Sequence, residues 1–165
     1  MIGLTKTMAG AQVPDTMMAA REIDSLIQVS RSLANQRDFG KALEVNAAAE
    51  KIALEKMGRQ SVAYGSTTFN HGKVLYFMGN YPEAEKWYLD ALSIRSSVLG
   101  KEHPAYAQSL NNLANLYWKI GNYEKAEPLH LEAIAIREKR LGKENLDYAA
   151  SLNNLANVYF DLGNG

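Results

Sequence analysis

The residues best equipped for chemistry in this chain are amides, cations and aromatic rings that return at one fixed interval. Gln28, Asn70, Asn112 and Asn154 stand forty-two residues apart. Each carries a hydrogen-bond donor and an acceptor on one short side chain. The same step connects Arg31, Lys73, Asn115 and Asn157, and also Tyr76, Trp118 and Phe160. Such columns can satisfy a polar backbone, offer apolar pockets beside it and attract an anion. They supply no nucleophile and no proton relay. Asparagine is a poor helix former, so its recurrence inside a helix asks for a reason. Three stand open: the amides meet a ligand, they bridge one repeat to the next by hydrogen bonds, or recent duplication simply copied them.

Catalytic groupings are missing at the level of spacing. The three histidines, His71, His103 and His130, have no partner at a metal-ligand interval such as HExxH. His71 occupies a column held elsewhere by Val29, Leu113 and Leu155, which makes it a core or inter-repeat residue. His103 precedes Pro104, and Asn145 replaces it one repeat later, which suggests helix capping; His130 stands where Asn46 and Tyr88 stand. Neither GxxxxGK[ST] nor GxGxxG occurs. The acidic pairs Glu83/Glu85 and Glu124/Glu127 fall early in second helices, where they complement the helix dipole. The chain is not expected to be an enzyme or to hold a cofactor or metal.

The elements that position these columns are repeats. The phrase SLNNLANLYWKIGN from Ser109 returns from Ser151 as SLNNLANVYFDLGN, and stepping back lands on Thr67 and Ser25. The register holds at Ala42/Ala84/Ala126, Gly58/Gly100/Gly142 and Tyr64/Tyr106/Tyr148. Counted from Ser25, the units are 25–66, 67–108, 109–150 and a partial 151–165. Each reads as two helices. In the third unit Leu110, Leu113, Ala114, Tyr117 and Ile120 form one apolar stripe. Gly121-Asn122 breaks the helix, and a second runs from Tyr123 to Leu141-Gly142, where a left-handed glycine cap is expected. Pro104 suits a first helical turn, whereas Pro128 lies past one and predicts a local bend. No strand-like alternation occurs. Val13-Pro14-Asp15-Thr16 reads as a helix start, with residues 1–14 a flexible segment before a solenoid over 15–165.

Composition narrows the function classes. With 18 basic and 18 acidic residues the chain lacks the cationic excess that a nucleic-acid binder needs. It has no cysteine, which removes disulfides and thiolate chemistry and fits a reducing compartment. No apolar run approaches the about 18 residues that span a bilayer, and the N-terminus lacks a signal-peptide core. A soluble, cytoplasmic protein is expected.

The order leucine, small residue, Tyr, Gly, Tyr, Ala, Ala at Leu113, Ala114, Tyr117, Gly121, Tyr123, Ala126 and Ala133 resembles the tetratricopeptide repeat. The usual unit has about 34 residues, and the longer unit here adds about two helical turns. Units containing NNLA, AIREK and LGKEHP are similar to those of kinesin light chains and many bacterial tetratricopeptide arrays. The resemblance covers Ser25 to the C-terminus. It implies an all-α, right-handed superhelical solenoid of antiparallel helix pairs, with three full repeats plus one extra helix. It also implies an interaction module without chemistry of its own, whose first helices line a concave groove.

Carried onto this chain, the groove stripe is Asn111, Asn112, Asn115, Trp118 and Lys119 in the third unit. Its counterparts are Phe69, Asn70, Lys73, Tyr76 and Phe77 in the second, and Asn153, Asn154, Asn157, Phe160 and Asp161 in the fourth. The first unit departs from the pattern with Ile27, Gln28, Arg31, Ala34 and Asn35. The expected partner is a protein or peptide, extended and, given Arg31, Lys73 and Lys119, acidic; neither nucleic acid nor membrane is expected. The resemblance also admits a scaffold or regulatory arm of a larger protein, attached to a caspase-like protease or a signalling ATPase. The helix Ser151–Gly165 lacks a partner helix, which predicts a cut in a longer array or self-association through that helix.

Overall fold

The computed structural model describes residues 9–163. Among them are seven helices and no strand: α1 (Ala9–Asn35), α2 (Phe39–Met57), α3 (Val62–Met78), α4 (Tyr81–Leu99), α5 (Pro104–Lys119), α6 (Tyr123–Leu141) and α7 (Leu146–Gly163). The helices pair as α1/α2, α3/α4 and α5/α6, and α7 follows as a first-position helix. The pairs are offset from units counted from Ser25, since α3 begins at Val62 rather than Thr67. The chain before α1 lies outside the described residues. Within them α1 begins at Ala9, upstream of the expected start at Val13–Thr16.

Local chemistry sets the ends. Asp38 and Asn122 cap α2 and α6 by accepting from the backbone N–H of Lys41 and Lys125, and Ser61 caps α3 by accepting from Tyr64. His103 caps α5: its Nδ1 accepts from the Ala105 N–H at 3.0 Å, as Asn145 Oδ1 accepts from Asp147 at 2.8 Å one repeat later. α6 runs through Pro128 as one helix. The glycine after each second helix does not take the expected left-handed cap. Gly142 has φ 83 and ψ 166, and Gly58 and Gly100 match it, a region that only glycine enters without strain. The left-handed turn falls instead inside the second pair, at Gly79, with Arg37 and Gly121 at positive φ in the same place of the first and third pairs.

Every second-position helix carries two alanines seven residues apart, Ala42/Ala49, Ala84/Ala91 and Ala126/Ala133, and all six are fully enclosed. Side chains this small let the paired helices approach closely. Larger residues fill the space around them: Phe69, Tyr88, Leu113, Leu116, Tyr117 and Val158 belong to one cluster that spans successive repeats. Truncating a leucine enclosed there, such as Leu113, costs about 2–5 kcal/mol. Each second-position helix also touches the next first-position helix, so the core continues along the stack.

Arg95 and Arg137 fasten successive repeats. Arg95 Nη1 donates to the Ala105 carbonyl and to Ser109 Oγ, both at 2.9 Å. Arg137 makes the same pair of bonds with Asp147 and Ser151. First-position helices touch one another, α1 to α3 to α5 to α7, whereas second-position helices do not meet. The first-position helices therefore line the inside of the curve.

Candidate functional site

The inner surface is best developed between α1 and α3. There Gln28, Arg31, Ala34, Asn35, Asn70, Lys73, Val74 and Phe77 line a cleft of about 200 Å³. Two of the eight are cationic and none is acidic. Arg31 and Lys73 are half-buried. Burial pulls the Arg31 guanidinium below its ordinary value, with Asp24 pulling partly back. Burial also lowers the Lys73 ammonium, and the Arg31 charge lowers it further. Two cations held together in a partly dehydrated cleft gain from an incoming anion.

A buried polar network holds one of them. The Arg31 Nε–H donates to Asn70 Oδ1 at 3.0 Å. Asn70 Nδ2 donates to Ser30 Oγ at 3.0 Å and to Asn46 Oδ1 at 2.9 Å. Asn46 Nδ2 donates to the Thr67 carbonyl at 3.1 Å, and the Ser30 hydroxyl donates to the Ala42 carbonyl at 2.8 Å. This uses the Arg31 Nε and leaves the terminal guanidinium nitrogens for the cleft. Lys73 Nζ lies 5.8 Å from the Phe77 ring centre, and 47% of Phe77 is exposed, so an apolar surface adjoins the two charges.

Several residues predicted from the sequence stand elsewhere. Phe69 is 1% exposed and packs against Tyr88 with Arg95 over its ring, so it belongs to the core and not to the groove surface. Asn70 is fully enclosed, with both ends of its amide engaged; it forms the cleft floor and supports Arg31 rather than offering free hydrogen bonds. Asn111 is also buried and accepts from Ser151 Oγ and Asn154 Nδ2, an inter-repeat contact. The expected amide ladder is therefore not a continuous row of open groups. Gln28 is exposed at the α1/α3 cleft. Asn112 is half-buried and donates to its own helix at the Gln108 carbonyl, and Asn154 bonds to Asn111.

The remaining residues extend the inner surface towards α7. Asn115 is half-buried, and Lys119, Asn153 and Asn157 are exposed. Tyr76 packs edge-on against Phe77 and at 5.6 Å from Tyr81. Trp118 is half-buried, and its Nε1–H donates to Asp161 Oδ2 at 2.6 Å. That bond takes up one oxygen of the Asp161 carboxylate and joins α5 to α7 on this surface.

Sequence reading passed over Ser30, Asn46 and Val74. The signal for Asn46 was present: its column holds Tyr88 and His130 in later repeats, and Asn46 alone brings an amide to the Asn70 side chain. The histidines find structural surroundings. His71 stacks on Trp87 with ring centres 3.7 Å apart and lies 3.6 Å from a Glu50 oxygen, and His130 is fully enclosed. Among the described residues no group of His, Asp and Glu could hold a metal ion, and no helix is long and apolar enough to cross a membrane.

Comparison with known proteins matches this geometry. A family model described as the tetratricopeptide repeat matches residues 65–139 and 115–164. No curated protein sequence matches the chain. Among solved structures, a kinesin-light-chain-like protein of Podosopora anserina with nearly identical TPR-like repeats superposes with a TM-score of 0.78 at 22% identity, covering 88% of this chain and 68% of that one. Its Q17M variant gives the same figures. BtubC (BKLC) from P. vanneervenii superposes with a TM-score of 0.71 at 26% identity; this chain is covered over 86% of its length and spans 58% of that protein.

Proposed function

The chain belongs to the tetratricopeptide-repeat family, and from that premise we propose that its inner surface takes a short, extended, acidic peptide. Family membership makes the chain a protein–protein interaction module. One observation carries the acidic-peptide reading: Arg31 and Lys73 share a cleft that contains no acidic lining residue. A peptide carboxylate there meets the terminal nitrogens of a pre-oriented guanidinium and a neighbouring ammonium, with Phe77 beside them for an apolar side chain. Charge-assisted bonds of this kind are about twice as strong as neutral ones. Further along, Asn115, Asn153 and Asn157 offer amides to the backbone of the same peptide.

The test is a titration of short acidic peptides against the wild-type chain, Arg31→Ala/Lys73→Ala and Asn112→Ala/Asn154→Ala. Loss of the two cations is expected to weaken binding by about tenfold or more, and to flatten its salt dependence. Loss of the two amides, which are engaged within the protein, is expected to matter less. Equal affinity of the wild type and the dication variant would remove the proposal.

A further inference from the structure

Arg31 and Lys73 hold the same place in successive repeats, and both line the α1/α3 cleft. Among the described residues neither forms an ion pair. Arg31 spends its Nε–H on Asn70 Oδ1, and Lys73 Nζ lies against the Phe77 ring without a hydrogen bond. Cations elsewhere are matched. Arg59 faces Asp90, Lys86 faces Glu83 and Lys143 faces Glu138, one carboxylate to each charge. Glu102 serves both Lys139 and Arg140, but all three side chains are at least half exposed, so water screens the surplus charge.

The cleft has less of that screening. Arg31 and Lys73 are half-buried, and the charge of Arg31 depresses the Lys73 ammonium. Asp24, the carboxylate that acts on Arg31, lies outside the cleft lining. One bound carboxylate would neutralise one cation and leave the other uncompensated in a partly dehydrated place. A dianion neutralises both.

The surrounding donors favour one kind of dianion. Gln28 and Asn35 stand three residues before and four after Arg31, on one face of α1, and both amides line the cleft. With the terminal nitrogens of Arg31 and the Lys73 ammonium they make at least three separate donor groups. A planar carboxylate has two oxygens, and a single guanidinium fork engages both. A phosphoryl group has three terminal oxygens and carries about −1.5 to −2 charges at pH 7. It can meet guanidinium, ammonium and amide together. Ala34, Val74 and Phe77 leave an apolar wall for the stem of the residue that bears it.

We propose that the anionic group read by this cleft is a phosphate monoester on a side chain of the bound peptide, shared between Arg31 and Lys73. This narrows the acidic-peptide reading, on which it rests: an aspartate or glutamate enters the same place but satisfies only part of it. Phosphorylation of the partner then controls binding, and Lys73 distinguishes phosphoryl from carboxylate.

The probes are labelled degenerate peptide libraries that differ only in a fixed centre: phosphoserine, one glutamate, two adjacent glutamates or serine. Each is titrated into the 165-residue chain by fluorescence anisotropy, with free O-phosphoserine as a competitor. The phosphoserine library is expected to bind about tenfold or more tighter than the single-glutamate library, with paired glutamates between them. Lys73→Gln breaks no hydrogen bond within the protein and is expected to bring the phosphoserine-to-glutamate ratio close to one. Arg31→Lys, which keeps the charge and loses the fork, is expected to weaken both libraries. Glutamate binding that needs Arg31 and Lys73 but gains nothing from phosphoserine would overturn the phosphoryl assignment and leave the acidic-peptide reading standing. Paired glutamates equal to phosphoserine would do the same, since the site would then count charge alone. A phosphoserine preference that survives Lys73→Gln would overturn the assignment to this pair of cations. Competition by free O-phosphoserine at the affinity of the peptides would assign the cleft to a soluble monoester instead of a modified partner. Binding of neither library above the serine control would remove both readings.

Discussion

The Arg31 Nε–H donates to Asn70 Oδ1 at 3.0 Å, joining the first-position helices of two repeats across 39 residues of sequence. Through that bond the cleft is mechanically continuous with Asn46, a residue on the outer helix α2 that does not line it. Guanidinium orientation is therefore set from behind. Ser30 and Asn46 fix the Asn70 amide, and the amide fixes the plane in which Arg31 presents its remaining donors.

Asn46→Ala should expose that dependence. It leaves buried polar atoms of Asn70 and Thr67 short of a partner, at about 1–3 kcal/mol in urea unfolding. A purely structural role would end there. Positioning predicts in addition that discrimination between an acidic peptide and its Glu→Gln counterpart falls severalfold, because Arg31 is no longer held. Unchanged discrimination in a folded Asn46→Ala variant would reduce the network to packing alone.

The repeats, the α5 and α6 boundaries and the helix-pair order were legible in the sequence, because a forty-two-residue register and glycine or proline punctuation are local signals. Exposure within a column was not. Asn70 and Asn112 hold the same place in the repeat, yet Asn70 is fully enclosed and Asn112 half-buried. The difference comes from across the interface, where Ser30 and Asn46 bring partners to Asn70, while the corresponding places near Asn112 hold Gly72 and Tyr88. Phe69 and Asn111 were misplaced for a related reason: their position borders the inner face, and the approach of the adjoining repeat decides whether it is covered. Repeat position determines a direction; burial depends on what the neighbouring copy presents there.

Arg37 marks a local departure whose effect is measurable. Its φ of 64 is the only positive value on a non-glycine among the described residues, and Gly79 and Gly121 hold the same turn in later repeats. The left-handed conformation costs a residue with a Cβ about 1–2 kcal/mol, partly offset because glycine loses more entropy on folding. Arg37→Gly is expected to raise stability by about 0.5–1 kcal/mol in urea unfolding. A neutral or destabilising result would mean that the Arg37 guanidinium, 5.9 Å from the Phe39 ring centre, contributes more than the backbone strain.

Gly72 and Tyr88 form a size-matched pair that should show coupling. A methyl on Gly72 would press on the enclosed Tyr88 ring, and overpacking of this kind costs about 1–3 kcal/mol, more than the helix propensity that alanine returns. Tyr88→His alone leaves space where the phenol ring stood. The double variant Gly72→Ala/Tyr88→His reproduces the residues found at Ala114 and His130. It should be more stable than the sum of the two single changes by about 1 kcal/mol or more in a double-mutant cycle. Simple additivity would refute the pairing.

His130 gives the stability a defined pH dependence. The ring is fully enclosed, and neither nitrogen has a hydrogen-bond partner. Burial first, and then the Arg137 charge, pull its pKa down to about 4. In the unfolded chain an imidazole titrates near about pH 6.5. Between these values the unfolded state binds a proton that the folded state refuses, so stability is whole above the upper value and falls as the pH drops through the window. A depression of this size amounts to about 3 kcal/mol at full protonation of both states. His130→Asn, which places in the third repeat the residue found at Asn46, removes the titration without filling the site with a larger group. Urea unfolding across the window should show a steep decline for the wild type and a shallower one for His130→Asn, the remaining slope being that of carboxylates common to both chains. Parallel slopes would mean that His130 gains access to solvent or to a partner before it is protonated.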